Sequence, residues 1–194
     1  MKRCWWCGSD GDYVRYHDEE WAVPVTDDVR LFEKLALEGF QSGLSWITIL
    51  RKRPSFREVF FDFVPERVAE FTDRDVKRLL GDARIVRHRG KIEAVIQNAR
   101  AYAELVAREG SLSRFVWSFA PAHVATRQQR TEIPSTSVES TAFSKELRRR
   151  GWRFVGPTTA YAFFQAMGLV NDHLTDCFRH AEVQLLRASV SPGR

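Results

Sequence analysis

The chain has 194 residues, 44% of them hydrophobic, which is enough for a substantial core and too apolar for disorder. Its formal net charge of +5 favours an anionic partner, and nucleic acid more than membrane. No apolar run approaches the ~18 residues of a spanning helix, no secretory signal is visible, and an odd number of cysteines argues against a disulfide framework. We therefore expect a cytoplasmic, reduced protein, with too few thiols for an all-cysteine iron–sulfur site.

The first part of the chain predicts an irregular aromatic segment followed by helices. Residues 1–25 are rich in Trp and Tyr without helical periodicity. Thr26, Asp27 and Asp28 then indicate a helix start, because acidic side chains stabilise the positive end of the helix dipole. The apolar residues that follow share one helical face, and Gly39 suits the end of this helix.

Short helices with recognisable boundaries follow. We expect a second helix over residues 44–53 that stops at Pro54, because proline lacks the N–H that continues a helix. A capping box over residues 55–58 begins another, and Pro65 suits the first position of the next. The segment 72–75 then begins a helix that ends near Gly81.

The strongest helical periodicity covers residues 85–108. Arg87, His88, Arg89 and Lys91 lie at its start, where basic side chains oppose the helix dipole. Either an anion or water must compensate them, and the sequence leaves this open. Residues 111–119 predict a short aromatic helix.

The rest of the chain predicts a loop over residues 121–137, a helix over about 139–150, and a tight turn that enters a buried helix within 154–168. Residues after about 184 look frayed. No alternating strand pattern occurs, so the predicted class is all-α. We expect one domain over residues 1–194, with a helical core over about 26–170, terminal segments 1–25 and 171–184, and a frayed tail 185–194.

The turn around Gly156 predicts a helix–hairpin–helix. Gly156 permits close backbone approach, and the free N–H groups where Thr158 opens the next helix can bind a phosphate. Such contacts position DNA without reading its sequence. An ordinary pair of antiparallel helices is the alternative.

Cysteines and histidines near both ends of the chain suggest a metal site. The spacing of His173 and Cys177, four residues apart, places both on one helix face, and Cys4 and His17 can supply the other half. Such a set would be tetrahedral and structural, tying the two chain ends together. Cys7 competes for a place, because Cys4-x-x-Cys7 is itself a ligand or redox spacing. Separate buried thiols and surface histidines remain the alternative.

The segment Leu37–Trp46 holds one acid, Glu38, among aromatic residues. Glu38 is either a solvated residue at a helix end or a group that binds a ligand. A cavity in which Glu38 lies among several rings suits a flat, positively charged heterocycle, because the rings stack and attract a cation while the carboxylate accepts hydrogen bonds. The rings that can line it are Tyr16, Trp21, Trp46 and the pair Trp5 and Trp6.

Together these segments resemble the bacterial type I 3-methyladenine DNA glycosylases, within the helix–hairpin–helix glycosylase superfamily. The resemblance covers roughly residues 2–180. It rests on Arg3-Cys4, Tyr16-His17-Asp18, Glu20-Trp21, Leu37-Glu38-Gly39, Gly43-Leu44-Ser45-Trp46-Ile47-Thr48, the run Ile85–Ile92, Asn98–Tyr102, Phe115–Phe119, Phe154–Gly156 and Gly168–His173. Matches in this order and over this length are specific.

The resemblance implies hydrolysis of the glycosidic bond of N3-methyladenine in alkylated DNA. We expect double-stranded alkylated DNA as the partner, no membrane partner, and a monomer. It implies one structural zinc per chain at Cys4, His17, His173 and Cys177, which excludes Cys7. It also implies that the flipped base lies against Tyr16, Glu38 and Trp46, with Trp6 and Trp21 nearby. Glu38 is the predicted catalytic residue, chiefly through recognition of the damaged base, and the sequence leaves open whether it also steadies the developing sugar cation. Gly43 and Leu44 would be the wedge that enters the duplex, and Gly156 and Thr158 would contact its backbone.

Two positions depart from the family pattern. Cys7 is unusual there, so it can compete for metal or be oxidised. Superfamily relatives such as endonuclease III place a catalytic aspartate in a Val-Asp-x-His segment, where this chain has Asn171, and Asp172 is one residue away and is expected to point elsewhere. Two other hypotheses are a catalytically inactive helix–hairpin–helix DNA-binding protein and a redox protein that uses Cys4 and Cys7. The second fits poorly, because no strand–helix pattern surrounds those cysteines.

Overall fold

The computed structural model describes residues 1–190, which form α-helices and short 3-10 helices and contain no strand. The predicted all-α class is confirmed. The α-helices in chain order are α1 (Gly11–Glu19), α2 (Asp28–Gln41), α3 (Trp46–Val59), α4 (Pro65–Ala69), α5 (Asp73–Gly81), α6 (Arg89–Glu109), α7 (Leu112–Trp117), α8 (Val138–Arg149), α9 (Pro157–Ala166) and α10 (His180–Ser189). Among these described helices, none combines the length and apolar character that crossing a membrane requires.

The core is one contiguous cluster of buried apolar side chains to which each α-helix contributes. α2 lies at its centre, because every residue from Leu31 to Phe40 is buried. Phenylalanine rings fill much of the interior: Phe143 stacks on Phe163 with ring centroids 5.8 Å apart. The burial of these apolar groups is the main favourable contribution to folding.

The N-terminal segment is more regular than its sequence predicts. The expectation of an irregular stretch over residues 1–25 is wrong, because α1 lies within it. Asp10 caps this helix by accepting hydrogen bonds from the backbone N–H groups of Asp12 and Tyr13. α1 has only nine residues and turns Tyr16 and His17 inward, so its apolar periodicity is too short to recognise.

Two predicted helix boundaries are also wrong. Gly39 lies inside α2, where its lack of a side chain allows Phe154 to approach: an added Cβ would be 3.3 Å from that of Phe154. Pro54 lies inside α3 and does not end it, and so no separate helix begins at Ser55. An interior proline costs ~3 kcal/mol, but α3 buries Ile49 before it and Phe56 after it, and this packing keeps the helix continuous.

The middle of the chain agrees with its capping signals. Pro65 begins α4, and the Thr72–Asp75 capping box begins α5. α6 starts at Arg89 because the His88 side chain accepts a hydrogen bond from the backbone N–H of Lys91. The side chain of His88 therefore satisfies one of the free backbone N–H groups at this basic helix start.

The predicted pair of helices near the C-terminus is present. α8 packs against α9, and the connection runs from Gly151, at φ +83°, to Gly156, which precedes Pro157 at the first turn of α9. The tail is not frayed from residue 185, since α10 continues to Ser189. The part of that prediction that concerns residues 191–194 lies outside the described residues.

Gly168→Ala should destabilise the protein strongly, because Gly168 has φ +79° and an added Cβ would lie 2.6 Å from the backbone of Pro24. A loss of at least ~2 kcal/mol in the free energy of unfolding is expected from denaturant titration. Gly81→Ala is the matched control, since nothing lies within 4 Å of its added Cβ. Equal stability of the two variants would contradict the close packing of Gly168 on Pro24.

Candidate active site: an aromatic cavity and a cysteine–histidine cluster

A cavity of about 290 Å³ lies between α1, α2, the start of α3 and α9. Half of the residues that line it are aromatic, and Glu38 is its one carboxylate among the described residues. The rings are Trp5, Trp6, Tyr13, Tyr16, Trp21 and Trp46; the other lining residues are Gln41, Ile133, Ala162, Gln165 and Ala166. The five residues predicted to bind a base (Tyr16, Glu38, Trp46, Trp6 and Trp21) therefore all lie on this one wall.

Glu38 is a buried carboxylate, with 5% of its surface exposed, because it lies on the inward face of α2. It is therefore not the solvated helix-end residue that the sequence left possible. Its ion-pair partner is Lys34, one turn earlier on the same helix, with Nζ 2.9 Å from Oε1. Lys34 is not among the predicted site residues, although a lysine within the apolar stripe of α2 is a visible signal in the sequence.

Tyr16 and Trp46 both line the cavity, with ring centroids 5.4 Å apart. Burial raises the pKa of Tyr16 well above its usual range, and the charge of Glu38 adds to this shift, so the phenol keeps its proton. Tyr13 fixes the start of α3, because its hydroxyl accepts a hydrogen bond from the backbone N–H of Ile47 at 3.0 Å. Two tyrosines one turn apart on α1 thus position Trp46.

Sequence reasoning also missed the amides and the loop residue that complete the cavity. Gln41 extends from the end of α2, and Gln165 lies on α9. Ile133 comes from the loop that was predicted over residues 121–137. None of these has a local sequence signal, because only the packing of α9 and the loop against α2 brings them to the cavity.

The connection between α2 and α3 forms a projecting tip at Gly43 and Leu44. Gly43 has φ +80°, and Leu44 is one of few large apolar side chains that are substantially exposed. Lys91 holds this tip: its buried ammonium donates hydrogen bonds to the carbonyls of Phe40 at 2.8 Å and Ser42 at 2.5 Å. A cation at the negative end of α2 also compensates the helix dipole.

Asn171 and Asp172, the two residues considered above for a catalytic aspartate, do not line the cavity. Asn171 donates hydrogen bonds to the backbone carbonyl of His180 and to Gln184. Asp172 is fully buried, pairs with Arg127 and accepts a hydrogen bond from Tyr161 at 2.7 Å. Both side chains therefore stabilise the segment around them, as expected for Asp172.

The second feature is a buried cluster of Cys4, His17, His173 and Cys177, whose candidate ligand atoms all lie within 4.8 Å of one another. The sulfur–nitrogen separations are 3.5 Å for Cys4 and His173, 3.4 Å for Cys177 and His17, and 3.5 Å for Cys177 and His173. A tetrahedral ion with bonds of ~2.3 Å to sulfur and ~2.0 Å to nitrogen has sulfur–nitrogen edges of about 3.5 Å. The donor set fits such an ion.

The surroundings of the cluster are also those of a metal site. The second ring nitrogen of His17 lies 2.8 Å from Asp18 Oδ1, and that of His173 lies 3.2 Å from the carbonyl of Trp21. These acceptors fix the tautomer in which the nitrogen that faces the cluster is free to bind an ion. Hydrogen bonds from Cys4 and His17 lower the pKa of the Cys177 thiol.

One detail of the predicted cluster needs correction, and one is as expected. His173 and Cys177 do not lie on one helix face: residues 171–178 are non-helical, and a turn closed by the hydrogen bond from the Cys177 N–H to the Leu174 carbonyl brings them together. Cys7 is buried outside the cluster and donates a hydrogen bond to the Cys4 carbonyl at 3.2 Å. Its position agrees with the four-residue set that excludes it.

The cluster and the cavity share aromatic residues. The Trp6 ring lies 5.0 Å from that of Trp21 and 5.4 Å from that of His17, between centroids. The Trp21 ring lies 4.6 Å from that of His173. Two rings of the cavity wall are thus held in place by the cluster.

The predicted backbone-contact residues lie at the other end of α9. Gly156 precedes this helix, and Thr158 is exposed in its first turn. The same helix contributes Ala162, Gln165 and Ala166 to the cavity. The hairpin and the cavity are therefore connected by one rigid element.

A sequence model of the family described as Methyladenine glycosylase matches residues 6–180. The chain belongs to this family. It is 50% identical over 179 residues to DNA-3-methyladenine glycosylase 1 of Escherichia coli K12, a match that covers 91% of this chain and 96% of that protein.

Solved structures of family members superpose closely on this chain. A crystal structure of 3-methyladenine DNA glycosylase I has a TM-score of 0.89 and 48% identity, over 92% of this chain and all of that one. Another, of a tyrosine-to-phenylalanine variant of 3-methyladenine DNA glycosylase I in complex with 3-methyladenine, has a TM-score of 0.88 and 37% identity, over 93% and 98% of the two chains.

Proposed function

We propose that this glycosylase hydrolyses the bond between N3-methyladenine and deoxyribose in alkylated double-stranded DNA. The observation that carries the proposal is the cavity in which Glu38 is surrounded by six aromatic rings. Its volume of about 290 Å³ is at the small end of the ~300–1,000 Å³ of ligand pockets, which suits a single base. The relative solved with 3-methyladenine bound supports the same substrate.

The positive charge of the substrate explains why aromatic rings and one carboxylate are enough to recognise it. N3-methylation gives the adenine in DNA a positive charge, so the base is a good leaving group. The rings of Tyr16 and Trp46 stack on such a cation and attract it, and Glu38 accepts hydrogen bonds from its edge. Unmodified adenine lacks the charge, so the enzyme rejects it mainly through lost electrostatic attraction and stacking.

Water, rather than a protein nucleophile, attacks the sugar in this proposal. The nucleotide is first flipped out of the duplex. The bond to the base then breaks through a state in which the sugar resembles an oxocarbenium ion. Glu38 is the one carboxylate that lines the cavity among residues 1–190, so it is also the candidate for steadying the developing sugar cation. Gln41 and Gln165 are proposed as additional hydrogen-bonding partners of the base.

Binding to the duplex involves two surfaces. Leu44 at the exposed tip fills the space that the flipped base leaves, and the N–H groups near Gly156 and Thr158 hold a phosphate. The moderate positive charge of the chain favours the same partner. We propose that the chain acts as a monomer and, since its core is contiguous, as one domain.

We also propose that the cysteine–histidine cluster binds one structural zinc ion per chain. Two thiolates and two imidazoles suit zinc, and a closed set of four leaves no position for a reacting water. Zinc bound there would fasten the N-terminal segment to the segment after α9. Its role would be stability of the cavity wall, not chemistry.

Release of methylated base from alkylated DNA distinguishes this function from that of an inactive DNA-binding protein. DNA treated with a methylating agent is incubated with the protein, and the released bases are separated by chromatography. Free N3-methyladenine above the rate of spontaneous loss supports the glycosylase. Retention of DNA without release of base would favour the inactive binding protein.

Glu38→Gln should lower the rate of excision by about tenfold or more, because a hydrogen bond to a charged acceptor contributes roughly 1.5–3 kcal/mol. The expected reason is weaker binding of the cationic base, with unchanged zinc content. Single-turnover excision and metal analysis measure the two quantities. Equal excision by both proteins would refute the assigned role of Glu38.

Metal analysis should find about one zinc per chain. His173→Ala should lose the ion and lower the melting temperature by at least ~5 °C, since loss of a structural metal costs several kcal/mol. Cys7→Ser is the control, because Cys7 lies outside the cluster. Loss of zinc from Cys7→Ser would assign Cys7 as a ligand in place of one of the four.

Lys91→Met should slow excision from duplex DNA several-fold while affinity for free 3-methyladenine stays unchanged. The ammonium of Lys91 holds the carbonyls before the tip, and without it Leu44 is positioned less firmly. Isothermal titration with the free base and single-turnover excision separate the two effects. An equal loss in both would show that Lys91 acts on the cavity rather than on the tip.

A further inference from the structure

One ammonium contacts three of the residues proposed to bind the base, namely Tyr16, Glu38 and Trp46. Lys34 Nζ lies 2.9 Å from Glu38 Oε1, donates a hydrogen bond to Tyr16 Oη at 3.0 Å, and lies 3.3 Å from the centroid of the Trp46 ring. The Lys34 and Glu38 side chains are 7% and 5% exposed. A buried cation in this position needs an explanation beyond the packing of α2.

Lys34 lies behind the wall of the cavity. Glu38, Tyr16 and Trp46 line the cavity, whereas Lys34 does not. The ammonium therefore approaches these three groups from the protein interior and leaves the space in front of them for a ligand. The ammonium contacts Oε1 of Glu38, and no other side chain of residues 1–190 forms an ion pair with that carboxylate.

The charges around Lys34 come from three helices or their ends. Tyr16 of α1 and Glu38 of α2 contact the ammonium, while Glu20 after α1 and Arg53 of α3 act from further away and pair with each other. Burial lowers the pKa of Lys34, and Glu38 opposes this shift. Removal of the ammonium would affect Glu38 most, because Lys34 is its ion-pair partner. A buried carboxylate without a counter-charge favours its neutral form.

Lys34 also orients the Tyr16 hydroxyl. Because this oxygen accepts a hydrogen bond from Lys34, its own proton must point in another direction. The same ammonium thus contacts the carboxylate of Glu38 and orients the hydroxyl of Tyr16.

A purely structural ion pair is the simpler explanation. Replacing both partners of a buried pair by apolar residues of similar volume often costs no stability, whereas removing one partner leaves the other charge unpaired. If Lys34 served only stability, Lys34→Met would therefore destabilise the protein and change the activity by the same factor at every pH. That difference can be measured.

We propose that Lys34 is a positioning residue for base recognition, whose ammonium keeps the Glu38 carboxylate ionised and directed into the cavity; this rests on the function proposed above. Without Lys34, Glu38 takes up a proton at a higher pH. Neutral Glu38 does not attract a cationic base. Excision is then lost sooner as the pH falls.

The test compares the pH dependence of excision by the wild-type protein and Lys34→Met. Single-turnover rates on methylated DNA are measured between pH 5 and pH 9 and corrected for spontaneous loss of base. The acid limb of Lys34→Met is expected at least about one pH unit higher, a tenfold loss on that side. The ratio of the wild-type rate to the Lys34→Met rate should be smallest near pH 9, where the Glu38 carboxyl is ionised in both proteins. Coincident acid limbs, or an equal loss at every pH, would overturn the proposal.

Two further variants keep the result interpretable. Lys34→Arg retains the charge, so its acid limb should stay near that of the wild type. Lys34→Gln replaces Lys34→Met if the latter does not fold, and its acid limb should also move up. In Glu38→Gln, adding Lys34→Met should not shift the acid limb, because the titrating carboxyl is absent.

A readout independent of activity separates this proposal from the proposed function. The carboxyl resonance of Glu38 in ¹³C-glutamate-labelled protein is the one missing from Glu38→Gln. Its titration midpoint should rise by at least about one pH unit in Lys34→Met. If the wild type releases no methylated base, the proposed function fails, and this midpoint still decides whether Lys34 keeps Glu38 ionised. An unchanged midpoint overturns the role of Lys34 even in an active enzyme.

Discussion

The cluster of Cys4, His17, His173 and Cys177 is the constraint on which the working part of the structure depends. It joins residues that are 169 positions apart in the chain. α1 begins seven residues after Cys4 and carries Tyr13 and Tyr16, and so this junction sets where those side chains stand. Trp6 and Trp21 pack directly on its imidazoles. The cysteine–histidine cluster thus helps to determine the shape of the aromatic cavity, although none of its four residues lines that cavity.

α2 is the second organising element, because it combines three tasks in fourteen residues. Its apolar face fills the centre of the core, and Glu38 extends into the cavity from the last turns. Its end continues directly into the exposed tip at Leu44. A buried cation stabilises each of the last two: Lys34 pairs with the Glu38 carboxylate, and Lys91 donates hydrogen bonds to the backbone carbonyls before the tip. Base recognition and duplex opening are therefore mechanically linked in this proposal.

Several elements show where sequence patterns lose their predictive power. The Thr72–Asp75 capping box and Pro65 were reliable because caps act within one turn and need no partner from elsewhere in the chain. Pro54 does not end its helix, because Ile49 and Phe56 are buried in the core, and this tertiary packing outweighs the local cost of the proline. His173 and Cys177 were paired correctly but for the wrong reason, since a turn and not a helix brings them together.

The sequence by itself determined the helical class, most helix starts, the four members of the cysteine–histidine cluster and the five residues assigned to the cavity wall. Those features follow from local chemistry and from a family resemblance that extends along nearly the whole chain. Only the tertiary structure decided that Gln41, Ile133 and Gln165 complete the cavity and that Lys34 lies behind Glu38. The physical reason is that their positions depend on the way in which separate helices pack, and a buried charge can be assigned a role only when its partners in space are known.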